Sequence, residues 1–324
     1  MSNHQLLYLS RADVEAIGVT MREIIDALAI AFREHGEGHV EMPPKPGVHS
    51  RPDAFIHAMP AYIPALRAIG MKWVSGYPAN QARGLPYITG LLILNDDDTG
   101  LPLAVMDCTW ITGMRTGAAT ALAARYLARP ESATVGILGC GVQGRTNLEA
   151  LNVLFPLKRV SAYDVAAEVA QRFADEARER WSLDVTVVKE PQQAVAESDL
   201  VVTAGPILRT PHATIQPGWL QEGAFASLID FDSYWSGAAL QEVDKFCTDD
   251  IPQLEHYRHV GYFQEIPPIY ASLGELVTGA KPGRQSSRER TMACNLGLAL
   301  DDMATAPIVY LRALERGIGA WLPL

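Results

Sequence analysis

The chain has 324 residues, more than one core ordinarily fills, and suits two domains. Its net charge of −10 at pH 7, with no basic run, argues against nucleic acid and against an anionic membrane surface as partners. The cysteines, Cys108, Cys140, Cys247 and Cys294, show no C-x-x-C spacing, the start lacks a signal-peptide pattern, and no uncharged apolar run reaches membrane-spanning length. These features predict a cytoplasmic protein with neither a disulfide framework nor a thiolate metal site, and the strands and helices that follow predict the α/β class.

The first element is a helix. Thr20 and Glu23 form a T-x-x-E capping box, Ile24, Ile25, Leu28, Ala29 and Phe32 recur at helical spacing, and Gly36 marks the end. From Met42 the pattern turns to strands, over 54–59, 68–75 and 87–94, with 101–106 returning after the turn N-D-D-D-T-G at 95–100. That acidic turn lacks the glutamate an EF-hand needs and reads as a solvated hairpin tip. A long helix follows over 109–128, rich in small residues such as Gly113, Gly117 and Ala118 that suit close packing. Arg115 is the one charge in its first half and sits against the helix dipole. It is either a surface arginine or an anion ligand.

The stretch V-G-I-L-G-C-G-V-Q-G (135–144) carries the strongest signal. A β-branched run leads into Gly139, Gly141 and Gly144, a G-x-G-x-x-G pattern, and a helix follows over 143–155. Gly139 allows the tight turn, Gly141 lets backbone approach a pyrophosphate, and Gly144 lets helix and strand pack. A second strand, 159–163, ends in Asp164, where a carboxylate can hold an adenosine ribose diol and repel a 2′-phosphate. The pattern predicts NAD(H) rather than NADP(H). Further strands over 185–188, 199–203, 223–229 and 244–248, most with helices between them, predict a parallel, doubly wound sheet. Strands ending at Thr203 and Ile229 open into small-residue or acidic loops, where cofactors lie in such sheets. Asp230 and Asp232, among Phe231, Tyr234 and Trp235, either form an ordinary acidic turn or carry raised pKa values. His256 and His259 lack a third ligand nearby and predict no metal. Residues 261–285 read as loop with a short helix at 273–277, and 297–316 as a last helix returning to the first domain. The predicted division is 1–115 with 304–324, a substrate-binding and dimerisation domain, and 116–303, a Rossmann domain.

Four stretches carry a family resemblance: G-M-K-W-V-S-G-Y-P-A-N (70–80), L-P-L-A-V-M-D-C-T-W-I-T-G-M-R-T-G-A-A-T-A-L-A-A-R-Y-L-A (101–128), V-G-I-L-G-C-G-V-Q-G-R (135–145) and N-L-G-L-A-L-D-D-M-A (295–304). Along nearly its whole length the chain resembles the ornithine cyclodeaminase/mu-crystallin family. The resemblance implies a homodimer, a Rossmann domain holding NAD(H) or NADPH, and an amino or imino acid substrate. It implies that Lys45, Lys72 and Arg115 hold the substrate carboxylate, with Arg115 also touching cofactor phosphate. It places Val142 and Gln143 on the pyrophosphate, Asp164 on the ribose, and Phe225, Ser227, Leu228 and Asn295 about the cofactor, while the strand end at Thr203 points to the cofactor from the sheet pattern. It makes Asp232 the catalytic carboxylate, although D-F-D-S-Y-W stands where the family usually has G-x-D-x-x-G-K.

The departures bear on substrate. Lys45 stands where the cyclodeaminase has an arginine, keeping charge and losing the bidentate fork. His57 stands where cyclodeaminases have a glutamate near the substrate's second amine. Tyr87 replaces a threonine, Ser236 a lysine and Asn295 a serine. Family chemistry takes hydride from the α-carbon of an amino acid to give an iminium, with Asp232 as proton acceptor and His57 expected to titrate near neutral pH. Loss of the glutamate favours an imino acid reductase or amino acid dehydrogenase over ornithine cyclodeaminase. A third reading is a non-catalytic binder of the crystallin type. Trp73, Tyr77, Tyr87, Tyr234 and Trp235 either line an aromatic pocket or fill core.

Overall fold

The structure, a computed structural model, describes residues 4–51 and 54–324. The elements begin with β1 (Gln5–Leu9), α1 (Arg11–Ala16), α2 (Met21–Gly36), β2 (Gly47–Val48), β3 (Phe55–Ile63), β4 (Ala68–Gly76), β5 (Ile88–Asn95), β6 (Pro102–Asp107) and α3 (Thr109–Leu127). Next come β7 (Thr134–Leu138), α4 (Val142–Leu154), β8 (Arg159–Tyr163), α5 (Ala167–Trp181), β9 (Asp184–Val187), α6 (Pro191–Val195) and β10 (Leu200–Thr203). The rest are β11 (Phe225–Leu228), α7 (Gly237–Leu240), β12 (Lys245–Thr248), α8 (Ile251–His259), β13 (Ile269–Ser272), α9 (Leu273–Thr278), β14 (Thr291–Cys294), α10 (Ala299–Arg316) and β15 (Ala320–Pro323). No helix among the described residues is long and apolar enough to cross a membrane.

Two compact units result, Met1–Arg115 with Leu298–Leu324, and Thr116–Gly297. The first boundary falls inside α3. The second lies at 297/298 rather than the expected 303/304. Leu298 is the N-cap of α10, and the helix belongs to the first unit from its first turn.

In the first unit the sheet order is β15-β1-β6-β5-β4-β3-β2, antiparallel throughout except for the β1–β6 pair. Alternation along β4 buries Lys72 and Val74 on one face and leaves Trp73 exposed on the other. Helices α2 and α10 pack together, and α10 lies on β3, β4 and β5. The Thr20–Glu23 capping box forms as predicted, and Ile24, Ile25, Leu28 and Phe32 are the buried stripe of α2. Glu23 also pairs with Arg312 of α10, which draws its carboxyl down to about 2. At Gly70 an added Cβ would lie 2.1 Å from the Ile93 carbonyl oxygen, so only glycine permits this approach to the backbone of β5, and Met303 Sδ of α10 lies over the same spot at 3.1 Å. In the acidic turn, Arg67 holds Asp97 and Asp98.

The second unit is a parallel sheet in the order β13-β12-β14-β11-β10-β7-β8-β9. The chain winds one way from β7 through β8 and β9 and the other way from β10 onward. This puts the topological switch between β7 and β10, where doubly wound sheets take ligands. Beyond β10, Trp235, Phe231, Phe246, Phe263 and Leu254 fill the core. Strands β13 and β14 correct the reading of 261–285 as loop and of the sheet as ending at β12. Each has four residues, too few for a sequence period to declare itself.

Candidate active site

In the second unit the nucleotide turn is built from backbone. Gly139 has φ +96°, and an added Cβ there would lie 2.6 Å from the Ala204 carbonyl oxygen. At Gly144 an added Cβ would lie 2.2 Å from the Gly139 carbonyl oxygen, so turn and helix touch. Gly141 is the N-cap of α4 and meets open space, with nothing within 4 Å of an added Cβ. No side chain caps α4, so the first N–H groups, those of Val142 and Gln143 among them, face a site suited to an anion. Asp164 follows β8 beside this turn. Its Oδ2 accepts from the Cys140 N–H at 2.8 Å and its Oδ1 from the Ala166 N–H at 3.0 Å, which fixes the carboxylate.

At the carboxyl ends of β11 and β14 two buried side chains hold unsatisfied polar atoms. Asn295 is 4% exposed, and neither its amide oxygen nor its amide nitrogen has a partner. Asp232 is 3% exposed with Oδ1 unpartnered, and burial holds its carboxyl above the usual range. Buried polar atoms are ordinarily satisfied. A ligand that supplies hydrogen-bonding groups at these strand ends completes both, so the residues present fit a dinucleotide. Asp230 behaves differently from Asp232. Its Oδ1 accepts from Thr203 Oγ1 at 2.6 Å and its Oδ2 from the Gly205 N–H at 2.9 Å, while full burial pushes it up to about 7.

Several expected cofactor ligands have protein partners. Thr203 Oγ1 donates to Asp230 and accepts from Trp235 Nε1 at 3.4 Å, so it serves the β10–β11 connection. Ser227 Oγ shares a hydrogen bond with Thr120 Oγ1 at 2.9 Å, and the Leu228 side chain is core. Phe225 is fully buried and opens β11, roughly 10 Å along the strand from its carboxyl end. These side chains therefore have protein partners or core neighbours, and of this strand the backbone at Leu228 stands at the carboxyl end. Trp235 is likewise core, and Trp73 lies on the exposed sheet face.

In the first unit the site is built from side chains. Lys72, on β4, is 1% exposed, and its Nζ lies 2.6 Å from Asp302 Oδ2. Arg115 is 6% exposed, with Nη1 3.1 Å from Asp301 Oδ2 and Nε 3.3 Å from Asp302 Oδ1. Both aspartates are fully buried in the first turn of α10, where the helix dipole favours carboxylates. Burial, then Arg115, pulls Lys72 down to about 8 against the opposing pull of Asp302. Arg115 is thus a buried ion-pair member and not a surface arginine. The sequence reading missed Asp301 and Asp302. The signal for them is two adjacent carboxylates opening a helix whose neighbouring positions are apolar.

His57 lies on the same sheet face. It pairs with Gly47 on β2 and with Val74 on β4, which makes Lys72 its diagonal neighbour. Its ring stacks on Phe55 at 4.3 Å and lies over Gly47, where an added Cβ would be 2.3 Å from His57 Cδ2. The His49 ring is 6.2 Å away, edge-on. The Ala58 N–H donates to the Pro46 carbonyl at 3.0 Å, carrying the pairing back toward Lys45. Burial, then Lys45, His49 and Lys72, lowers His57 to about 4. It is neutral at pH 7, which corrects the expectation of a group titrating near neutrality.

The family profile described as "Ornithine cyclodeaminase/mu-crystallin family" matches residues 5–317. The chain belongs to this family. Alanine dehydrogenase of Archaeoglobus fulgidus is 35% identical, over 98% of this chain and 98% of its own length. The structure of Δ1-pyrroline-2-carboxylate reductase from Thermococcus litoralis, in complex with NADH and L-proline, has 33% identity and a TM-score of 0.88, covering 97% of this chain and 99% of that one. An archaeal alanine dehydrogenase dimer with bound NAD also has 33% identity and a TM-score of 0.88, covering 99% and 100% of the two chains. Within the ornithine cyclodeaminase/mu-crystallin family, then, relatives of similar likeness carry the names of a dehydrogenase and of a reductase.

Proposed function

We propose that this chain is an NAD(H)-dependent oxidoreductase acting at the α-carbon of an amino or imino acid, as a reductase or dehydrogenase rather than a cyclodeaminase. The observation that carries the reading is the buried group of Lys72, Arg115, Asp301 and Asp302 in a chain that also keeps the nucleotide turn open. Gly139, Gly141, Val142, Gln143 and Gly144 would hold the pyrophosphate, Asp164 the ribose, and Asn295 a polar group of NAD(H), which when bound supplies or takes the hydride. Asp302 meets the Lys72 ammonium, which has three N–H donors in all and so can also bond a substrate carboxylate. With its pKa near 8, Lys72 can also pass a proton at the pH of the reaction. Asp232, with a buried, unpartnered oxygen and a raised pKa, is suited to exchange a proton with the substrate nitrogen.

His57 supports reductase or dehydrogenase over cyclodeaminase. A cyclodeaminase must receive a second amine, and the Lys45 and Lys72 ammonium groups both act on His57. The protein acts as a homodimer in this reading. The open face of the first unit's sheet carries Tyr8, Val105, Ile93 and Met71 in register, with the directly paired Trp73 and Leu91 beside them. A contiguous apolar face of this kind suits a second copy, and light scattering on the purified protein reads its mass. The buried free cysteines fit the reducing environment of the cytoplasm.

The deciding assay has two arms. One follows NADH absorbance with α-keto acids plus ammonia or methylamine. The other incubates L-ornithine with catalytic NAD⁺ and measures proline and ammonia. NADH consumption without proline is the expected result. Proline with no net NADH change would make the chain a cyclodeaminase, and silence in both arms despite NADH binding would favour a non-catalytic binder.

A further inference from the structure

In the second unit the segment after β11 is laced to the loop after β10. The Leu208 N–H donates to Ser233 Oγ at 2.8 Å, the His212 N–H to the Ser233 carbonyl at 2.7 Å and the Ile215 N–H to the Tyr234 carbonyl at 2.7 Å. Asp230 ties the root of the same loop through Thr203 Oγ1 and the Gly205 N–H. Trp235 goes into the core, whereas the half-buried Tyr234 lies over Gly205. A Cβ added at Gly205 would lie 2.5 Å from Tyr234 Cε2 and 2.9 Å from its hydroxyl oxygen, so the ring rests on bare backbone. That backbone in turn touches the nucleotide turn, since a Cβ added at Gly139 would lie 3.1 Å from the Gly205 nitrogen. One residue further along the turn, the Cys140 N–H holds Asp164. Strand β7 lies between β10 and β8, so its glycine turn has Asp164 on one flank and Tyr234, over Gly205, on the other.

We infer that the Tyr234 ring is a wall of the site for the adenosine half of NAD(H). This rests on the placement of Asp164 at the adenosine ribose proposed above, and adds the side chain on the opposite flank of the turn. The carboxylates that act on the Tyr234 hydroxyl are Asp230 and Asp164, so the half of the cofactor held by Asp164 is the half within reach of the ring. Burial, then these two carboxylates, holds the hydroxyl above its usual range. The side chain therefore brings no charge to the neighbourhood of an anionic pyrophosphate. A tyrosine ring covers base or sugar surface at small cost in side-chain entropy. The family pattern G-x-D-x-x-G-K leaves this position open, and D-F-D-S-Y-W fills it with an aromatic residue.

The test is equilibrium binding of NADH and of ADP, which keeps the adenosine and lacks the nicotinamide nucleoside. Tyr234→Leu should weaken both ligands by the same factor, about tenfold. Tyr234→Phe keeps the ring and should bind both within about threefold of wild type. An ADP affinity unchanged in Tyr234→Leu, whether or not NADH weakens, overturns the inference and leaves the Asp164 assignment standing. A loss in Tyr234→Phe as large as in Tyr234→Leu also overturns it. If Asp164→Ser leaves ADP affinity unchanged while Tyr234→Leu lowers it, the ribose assignment fails and the ring stays at the adenosine site. A wild-type chain that binds NADH and not ADP overturns both. Hydroxyl-radical footprinting of the wild-type chain, read by mass spectrometry, needs no variant to fold. ADP should protect Tyr234 from oxidation, and an unprotected ring overturns the inference.

Discussion

The nucleotide turn and the charged group on the first unit's sheet prepare for anions by opposite means. Around Gly139–Gly144 the protein offers backbone N–H groups with no side chain capping them. Around Lys72 and Arg115 it pairs two cations with two carboxylates before any ligand arrives. A backbone cradle costs little to keep empty because water reaches it. Buried cations in an apolar sheet face need counter-charges at all times. The lesson is that Asp301 and Asp302 hold Lys72 and Arg115 in place and in charge, so the proposed grip on a substrate would depend on them as much as on the cations.

The largest effect is expected from breaking that pairing. Asp302→Leu leaves the Lys72 ammonium buried without its nearest partner and should cost about 3–5 kcal/mol of stability. The double change Lys72→Met with Asp302→Leu should recover most of that in denaturant titrations, because a neutral apolar pair fills the space, while activity stays lost. Equal instability of the single and double variants would show that the pair does not act as a unit.

The backbone cradle should respond differently. Gly141→Ala puts a methyl into open space at φ −74°, so thermal stability should hardly change. That methyl stands where the pyrophosphate must approach, and NADH affinity, read by fluorescence titration, should fall about tenfold. Unchanged affinity would remove Gly141 from the cofactor site. Asp164→Ser should leave the turn intact and shift the kcat/KM ratio of NADPH to NADH upward by about tenfold, since it removes the carboxylate that repels a 2′-phosphate.

The smallest expected effect is a change of slope with pH. Burial raises Asp230 from 3.8 to about 7 in the folded protein, so its share of stability is full below about 4 and is lost as pH rises through about 7. Asp230→Asn removes this titration. The melting temperature of the wild-type protein, measured relative to this variant, should therefore be higher at pH 5 than at pH 8. A pH-independent difference would show that Asp230 keeps one protonation state throughout.

The same contrast explains what the sequence discloses. The nucleotide turn is local: Gly139 to Asp164 spans one strand–helix–strand unit, and its glycines are set by contacts that a Cβ would violate. Such a constraint writes itself into adjacent letters. The helices with capping boxes or long apolar stripes are legible for the same reason. The charged group is not local, since Arg115 and Asp301 meet across 186 positions of chain. Lys72 and Arg115 are legible there only through the family resemblance, and their acidic partners read as part of an ordinary last helix. Thr203, Phe225 and Ser227 show what the sequence leaves out. Their motif position points to a cofactor, whereas the fold turns their side chains into hydrogen bonds and core.

The return of the chain at Leu298 has a consequence for how the protein is made. The first unit takes its carboxylates and its β15 edge from residues after 298, while Lys72, Arg115 and β1 precede position 116. On the ribosome the early segment therefore waits, with two cations bound for a buried face and no counter-charges, until nearly the whole chain has emerged. The intervening unit has all its strands in hand by Cys294 and is free to fold first. A stop codon that removes α10 would spare the nucleotide sheet and leave the first 115 residues as a sticky, unfinished appendage, a substrate for chaperones and proteases.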